Sequence, residues 1–404
     1  MSTILEKFEK LGVDNAPGQE GKRKNGKLNL RGEKLEGIPV DFSHGDVDAF
    51  LPLPGSLEAF EKGYHIGGKQ AYTEYSGKKN IREDLAKKLA DFTGAPIDPA
   101  SEIILTPGTQ GALFLAMGAL VATGDKVAIV EPDYFANRKL VEFFEGELVP
   151  VQMDYYGKEG CAGLDLNSLE EAFKEGVKLF LFSNPNNPTG VIYSYDEIIT
   201  IAKLAKKYNV TLLVDELYSR QIFDHKTYTH LRAQKEIPDN LITIIGPSKT
   251  ESLSGFRLGV AFGSKDIITR MEKLQAIVSL RCAGYCQAVF EVWFNEPEGF
   301  MEDRIAKHQA IRDELVTVFT AVDGVTARPS DGGSYLFVTM PALDVNIGDF
   351  VKIVREMAGV TVTPGTEFGP QFTNSFRINF SQDHRAAVDA AKRLLVIMER
   401  YRTK

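Results

Sequence analysis

From residue 100 onward the chain alternates short, unbroken apolar runs with longer mixed stretches. The runs are Glu102-Ile-Ile-Leu-Thr106, Lys126-Val-Ala-Ile-Val130, Leu148-Val-Pro-Val151, Lys178-Leu-Phe-Leu-Phe182 and Thr211-Leu-Leu-Val214. A run apolar at odd and even positions alike belongs to a strand covered on both faces, and the helical-length segments between several of these runs predict a mostly parallel α/β sheet. Leu241-Ile-Thr-Ile-Ile245 and Arg257-Leu-Gly-Val-Ala-Phe262 follow with only a short connection, which predicts antiparallel or edge additions and a sheet of about seven strands. Beyond Trp293-Phe-Asn-Glu-Pro297 the apolar spacing changes to a helical period and predicts a long amphipathic helix over 299–320. A strand at Ser334–Val338, a helix near 347–358, a strand at Ser375–Asn379 and a final helix complete a smaller α+β domain. The expected division is an N-terminal arm and part of the small domain over 1–48, a large domain over 49–297 and the small C-terminal domain over 298–404. Residues 15–37 are rich in Lys, Arg and Gly without apolar periodicity and read as an arm that depends on contacts elsewhere.

Composition narrows the classes of partner. The 404 residues carry 47 Lys plus Arg against 55 Asp plus Glu, a formal charge of -8, which argues against a nucleic-acid backbone as partner. The uncharged window 103–122 is interrupted by Pro107, Gly108, Gln110 and Gly111 and falls short of the ~20 apolar residues of a membrane span. Glu6 and Glu9 stand where a signal peptide needs an apolar stretch, so the expectation is a cytoplasmic protein with no membrane partner. Cys161, Cys282 and Cys286 have no metal-ligand spacing and read as reduced thiols. No Gly-x-Ser-x-Gly elbow and no His-Glu-x-x-His run occurs, which removes the serine-hydrolase and zinc-peptidase readings, and no metal is expected.

Polar residues break the apolar runs at their carboxyl ends, where open α/β sheets bind ligands. Gly108-Thr109-Gln110-Gly111 is either an ordinary strand-to-helix turn or an anion cradle of free amides. Asp215 closes an apolar strand and is either a helix cap or a poorly solvated carboxylate awaiting a cation. Lys249 is either a surface amine or a reactive one.

Four segments in order decide among these readings: Asn184-Pro-Asn-Asn-Pro-Thr-Gly190, Asp215-Glu-Leu-Tyr218, Ser248-Lys249 followed by Arg257 in Ser254-Gly-Phe-Arg-Leu-Gly259, and Phe376-Arg377-Ile378. Together they resemble the fold-type I pyridoxal-phosphate enzymes, in particular the class I and II aminotransferases. The resemblance implies pyridoxal 5'-phosphate as cofactor, with Lys249 as the Schiff-base and proton-transfer lysine and Asp215 on the ring nitrogen. It implies Tyr218 and Asn187 on the phenolic oxygen and Tyr134 stacked on the ring. Ser248, Arg257, Gly108, Thr109 and Gln110 would hold the phosphate, joined by Tyr72 from a neighbouring subunit of a homodimer with shared active sites. Arg377 would take the substrate α-carboxylate with help from Asn187 and the backbone near Gly45.

The sequence departs from the family pattern at Gly246, where many relatives carry a phosphate-binding serine, and at Asn137, where an aromatic residue or histidine is common. Gln110 replaces a lysine that one aspartate-specific subgroup uses, while Arg281 lies roughly where other relatives place a distal-carboxylate arginine. The expected activity is transfer of an amino group from an α-amino acid to a 2-oxo acid. The alternative is a lyase or oxidase on the same fold that needs no amino acceptor.

Overall fold

A computed structural model describes residues 4–11, 28–157 and 160–403. Its strands are β1 (Val40–Asp41), β2 (Ile103–Pro107), β3 (Lys126–Glu131), β4 (Glu147–Gln152), β5 (Leu179–Ser183), β6 (Thr211–Asp215), β7 (Leu241–Ile245) and β8 (Leu258–Gly263). β9 (Thr326–Ala327), β10 (Tyr335–Thr339), β11 (Val360–Thr361), β12 (Thr363–Pro364) and β13 (Ser375–Asn379) follow.

Seven strands form one sheet in the order β2-β8-β7-β6-β5-β3-β4. Period-two alternation explains why they read as continuous apolar runs. β5 sends Phe180 and Phe182 to one face, against Leu169 and Ile198 of helices Leu166–Lys174 and Tyr195–Tyr208. Leu179 and Leu181 point to the other face, against Ala112 and Met271 of helices Gly108–Leu120 and Lys265–Val278. Both faces are covered, so every position must be apolar. The second helix begins at a capping box in which Ser194 and Glu197 satisfy each other's backbone amides.

The expectation for the last two strands needs correction. β7 is interior and parallel to β6, because the 25-residue connection 216–240 is long enough for a crossover. β8 is antiparallel to both β7 and β2 and lies between them, so neither strand is an edge addition. The edges are β2 and β4.

A four-stranded antiparallel sheet, β12-β13-β10-β9, packs with helices Phe300–Thr320, Ile347–Ala358 and His384–Tyr401. The expected helix over 299–320 thus starts one residue later. Val40 and Phe42 of the N-terminal segment are buried in the same cluster as Leu315, Phe350 and Leu394. Of the arm expected over 15–37, residues 15–27 lie outside the described residues. From 28 onward it rests on the C-terminal part of the chain: Leu35 donates to the Met357 carbonyl at 2.7 Å, and Arg31 pairs with Asp344 at 2.7 Å. Among the described residues no helix is long and apolar enough to cross a membrane.

Antiparallel β8 brings Gly259 against the turn that follows β2. A Cβ at 259 would stand 2.6 Å from the Gly108 carbonyl oxygen, inside van der Waals contact. Gly259→Ala should therefore push the two loops apart, lowering stability by about 1–3 kcal/mol in denaturant unfolding, with weaker binding of any anion held by the 108–110 amides.

Candidate active site

β2, β5, β6 and β7 all end at one edge of the sheet, and β8 starts there. The loops that follow β2, β3, β5, β6 and β7 at that edge line a cavity of about 340 Å³. Thr109, Gln110, Tyr134, Asn187, Asp215, Tyr218, Ser248, Lys249 and Arg257, named from the sequence, all line it. Ser183 and Tyr335 line it as well.

One wall favours anions. Gly108, at φ 76°, opens the helix Gly108–Leu120, whose first amides have no helical acceptors. A Cβ at this position would lie 2.9 Å from Arg257 Cζ, so the missing side chain leaves room for the guanidinium over the helix start. Arg257 itself has φ 53°, a left-handed conformation in which its Nη1 donates to the Ser254 carbonyl at 3.0 Å.

Asp215 lines the cavity at the tip of β6. Burial pushes its carboxyl up to about 6, against the pull of the Leu217 amide that donates to it at 3.0 Å. Among the described residues no basic side chain forms an ion pair with it. Asp133, buried beside it, is pushed up to about 7 by burial although the Ser183 hydroxyl and amide both donate to it. Ser183 Oγ in turn accepts from the Asn187 amide at 3.1 Å.

Lys249 stands in the loop between β7 and β8, which is held from outside the cavity. Arg304 donates to the Thr250 carbonyl at 3.1 Å and to Ser252 Oγ at 2.6 Å, and buried Glu251 accepts from Arg220 and from Trp293 Nε1. Tyr218 donates to the Tyr335 hydroxyl at 2.7 Å, and the Tyr134 hydroxyl donates to Gln110 Oε1 at 2.9 Å.

Arg377, on β13, is 2 % exposed. Its Nη1 donates to Asn187 Oδ1 at 3.0 Å and its Nη2 to the Ser43 carbonyl at 3.0 Å, while Nε has no partner among the described residues. Its guanidinium lies 4.2 Å from the Tyr335 ring centre and 4.9 Å from that of Phe368. Gly45 lines a neighbouring cavity of about 760 Å³ that shares Ser248, Lys249 and Ser254 with the first.

Two named residues stand apart. Tyr72 is 81 % exposed and lies with Tyr75 beneath Arg281, at 5.5 and 5.6 Å, outside the cavity. Asn137 is buried, and neither of its side-chain polar atoms has a partner among the described residues. Sequence reasoning missed Asp133 and Tyr335. The run Glu131-Pro-Asp133 at the end of β3 repeats the polar strand-tip signal seen at Asp215, whereas Tyr335 opens an apolar strand and reads as core.

The donor set fits pyridoxal phosphate by its chemistry: a cationic cradle at a helix start, an unneutralised carboxylate across the cavity, a lysine amine, a phenol and an aromatic face. The comparisons agree. The family model described as Aminotransferase class I and II matches residues 39–394. An aspartate aminotransferase of Sulfolobus acidocaldarius is 28% identical over 372 residues, covering 90% of each chain. The crystal structure of an aspartate aminotransferase from Rhodobacter sphaeroides superposes with TM-score 0.94 at 60% identity, over 99% of this chain and 100% of that one. An aspartate aminotransferase from Thermus thermophilus with maleate gives TM-score 0.80 at 25% identity, over 89% and 91%.

The Asp215 environment makes a pH prediction for the cofactor-free protein. A carboxyl raised from 3.8 to about 6 in the folded state holds its proton more tightly there than in the unfolded chain. Stability is therefore lost as pH rises between those values and stays lost above them. Asp215→Asn should raise the stability of cofactor-free protein by about 3 kcal/mol at pH 8 and have little effect at pH 4, read from thermal melts across pH.

Proposed function

The chain belongs to the class I and II aminotransferases, and on that footing we propose how its residues divide the work. It is a pyridoxal-phosphate enzyme that moves an amino group from an α-amino acid to a 2-oxo acid. The relatives do not favour the lyase or oxidase alternative. When bound, pyridoxal phosphate supplies the electron sink that lets the substrate Cα–H proton leave.

Arg257, Ser248 and the amides of Gly108, Thr109 and Gln110 anchor the phosphate, and Tyr134 covers the ring face. Asp215 keeps a proton on the ring nitrogen, since pairing with that cation relieves its unfavourable burial. Tyr218 and Asn187 donate to the phenolic oxygen. Arg377 grips the substrate α-carboxylate, with the backbone near Gly45 closing that end, so that Cα–H faces Lys249. Lys249 Nζ, the one lysine amine lining the cavity among the described residues, would take the Cα proton and pass it to the cofactor side of the site instead of back to Cα. The observation that carries this reading is the single cavity in which Lys249, Asp215 and the Arg257 cradle meet.

The 60% identity to the Rhodobacter enzyme supports aspartate as donor. Gln110 is neutral and occupied by Tyr134, so the distal carboxylate falls to Arg281. We assign Arg281 and Tyr72 to the site of a second subunit. The surface near them is apolar and open, with Ile277 81 % exposed and Val278 and Leu280 each 55 %, which supports a homodimer with shared active sites. We place the enzyme in the cytoplasm and the domain boundaries near 48 and 297.

Two outcomes are expected. Aspartate alone should yield one 2-oxo acid per active site and stop. A 2-oxo acid acceptor should restore turnover, with one new amino acid per donor consumed and faster rates for aspartate than for alanine or lysine. Steady ammonia release without acceptor would refute the reading. Arg377→Ala removes charge-assisted contacts of about 1.5–3 kcal/mol each, so kcat/KM for α-amino acids should fall by roughly 10²–10⁴, with amines lacking a carboxylate much less affected.

A further inference from the structure

Tyr335 has no part in the assignments above, yet the two halves of the site meet on it. It is buried, lines the cavity beside Lys249, accepts a hydrogen bond from Tyr218 at 2.7 Å and lies under the Arg377 guanidinium at 4.2 Å. Strand register produces both contacts. Tyr335 stands opposite Asn379 across β10 and β13, which puts Arg377, two residues along, on the same face.

The charges facing the Tyr335 hydroxyl are Arg377 from β13 and Lys249 from the loop after β7. Tyr218 and Tyr134 are its other titratable neighbours, and Asn379 is a neutral hydrogen-bond partner. Burial by itself would push the hydroxyl up, but Arg377, Lys249 and these hydrogen bonds hold it below the ordinary tyrosine range, and Arg377 is the cation that stays beside it once the cofactor engages Lys249. An acidified hydroxyl is a strong donor.

Tyr218 has one proton to donate. An ionised phenolic oxygen is a charge-assisted acceptor, roughly twice as strong as a neutral hydroxyl. Once Tyr218 turns to it, the Tyr218 oxygen is left with a lone pair toward Tyr335. We propose that Tyr335 is a positioning residue that then donates to Tyr218 and strengthens the hydrogen bond Tyr218 makes to the cofactor, and that a carboxylate bound at Arg377 weakens this support. The inference rests on the role assigned to Tyr218. Hydrogen bonds in a chain polarise one another, so support from Tyr335 lowers the proton affinity of the bound cofactor. A substrate carboxylate cancels the positive charge above the Tyr335 ring and makes its hydroxyl a poorer donor. The arrival of substrate therefore raises that proton affinity without a change of backbone.

The test is a pH titration of the cofactor absorbance in the holoenzyme, for the parent, Tyr218→Phe, Tyr335→Phe and the double variant, with and without saturating acetate. Phenylalanine keeps the ring beneath Arg377, so packing is conserved. Tyr335→Phe should raise the cofactor pKa by roughly 0.5, and by less than Tyr218→Phe does. The double variant should titrate like Tyr218→Phe alone, and the upward shift caused by acetate should shrink in Tyr335→Phe. If Tyr218→Phe raises the pKa but Tyr335→Phe does not, or if the two shifts add, or if the acetate shift is unchanged, the relay is overturned while the role of Tyr218 stands. An unchanged pKa in Tyr218→Phe overturns that role and the relay with it.

Discussion

Because β8 runs against both of its neighbours, its first residue and not its last reaches the edge where β2, β5, β6 and β7 end. A parallel β8 would have delivered a carboxyl-terminal loop there and sent Arg257 to the far side of the sheet. Reversal sets Arg257 beside the helix start at Gly108, and the same turn of chain, 246–257, carries Lys249. The arginine of the anion cradle and the lysine are thus two parts of one loop. The distance between them is fixed by the sheet and by the hydrogen bonds of Arg304 and Glu251 on its outer side.

A cavity built this way concentrates charge that the protein alone leaves uncompensated. Asp215 and Asp133 are pushed upward by burial, and Arg377 keeps its Nε without a partner between two aromatic faces. A carboxylate on one side and cations on the other cost stability when the site stands alone. A ligand that brings a cationic ring nitrogen to Asp215 and anionic oxygens to Arg257 and Arg377 reverses the sign of each term.

Much of this was legible along the chain. Strands covered on both faces announce themselves as unbroken apolar runs, and the breaks at Gly108, Ser183, Asp215 and Lys249 mark where the strands end at the cavity. Direction was harder to read. β7 and β8 have the same apolar character, and only the length of the connection before each separates a crossover from a reversal. Tyr335 stayed hidden because its partner Tyr218 is 117 residues away and its own strand is otherwise apolar, so a hydroxyl at its start looks like a strand end. Tyr72 and Arg281 were legible only through the family pattern. Tyr72 faces outward beneath Arg281, and nothing in their local sequence marks either as a site residue.

The substrate-facing side depends on a different sheet from the cofactor-facing side, and this makes register as important as direction. Tyr335, Asn379 and Arg377 share one face of the β10–β13 pair, while Leu336, Phe376 and Ile378 fill the core behind it. A slip of one residue in either strand would exchange the two sets, burying a guanidinium among aliphatic side chains and presenting phenylalanine to the substrate. The apolar cluster therefore does more than stabilise the small sheet. By making that slip prohibitively costly, it holds Arg377 in reach of Asn187, a residue carried by the large sheet. The two sheets share no strand, and this hydrogen bond and the one between Tyr218 and Tyr335 are where the substrate and cofactor sides of the cavity are joined.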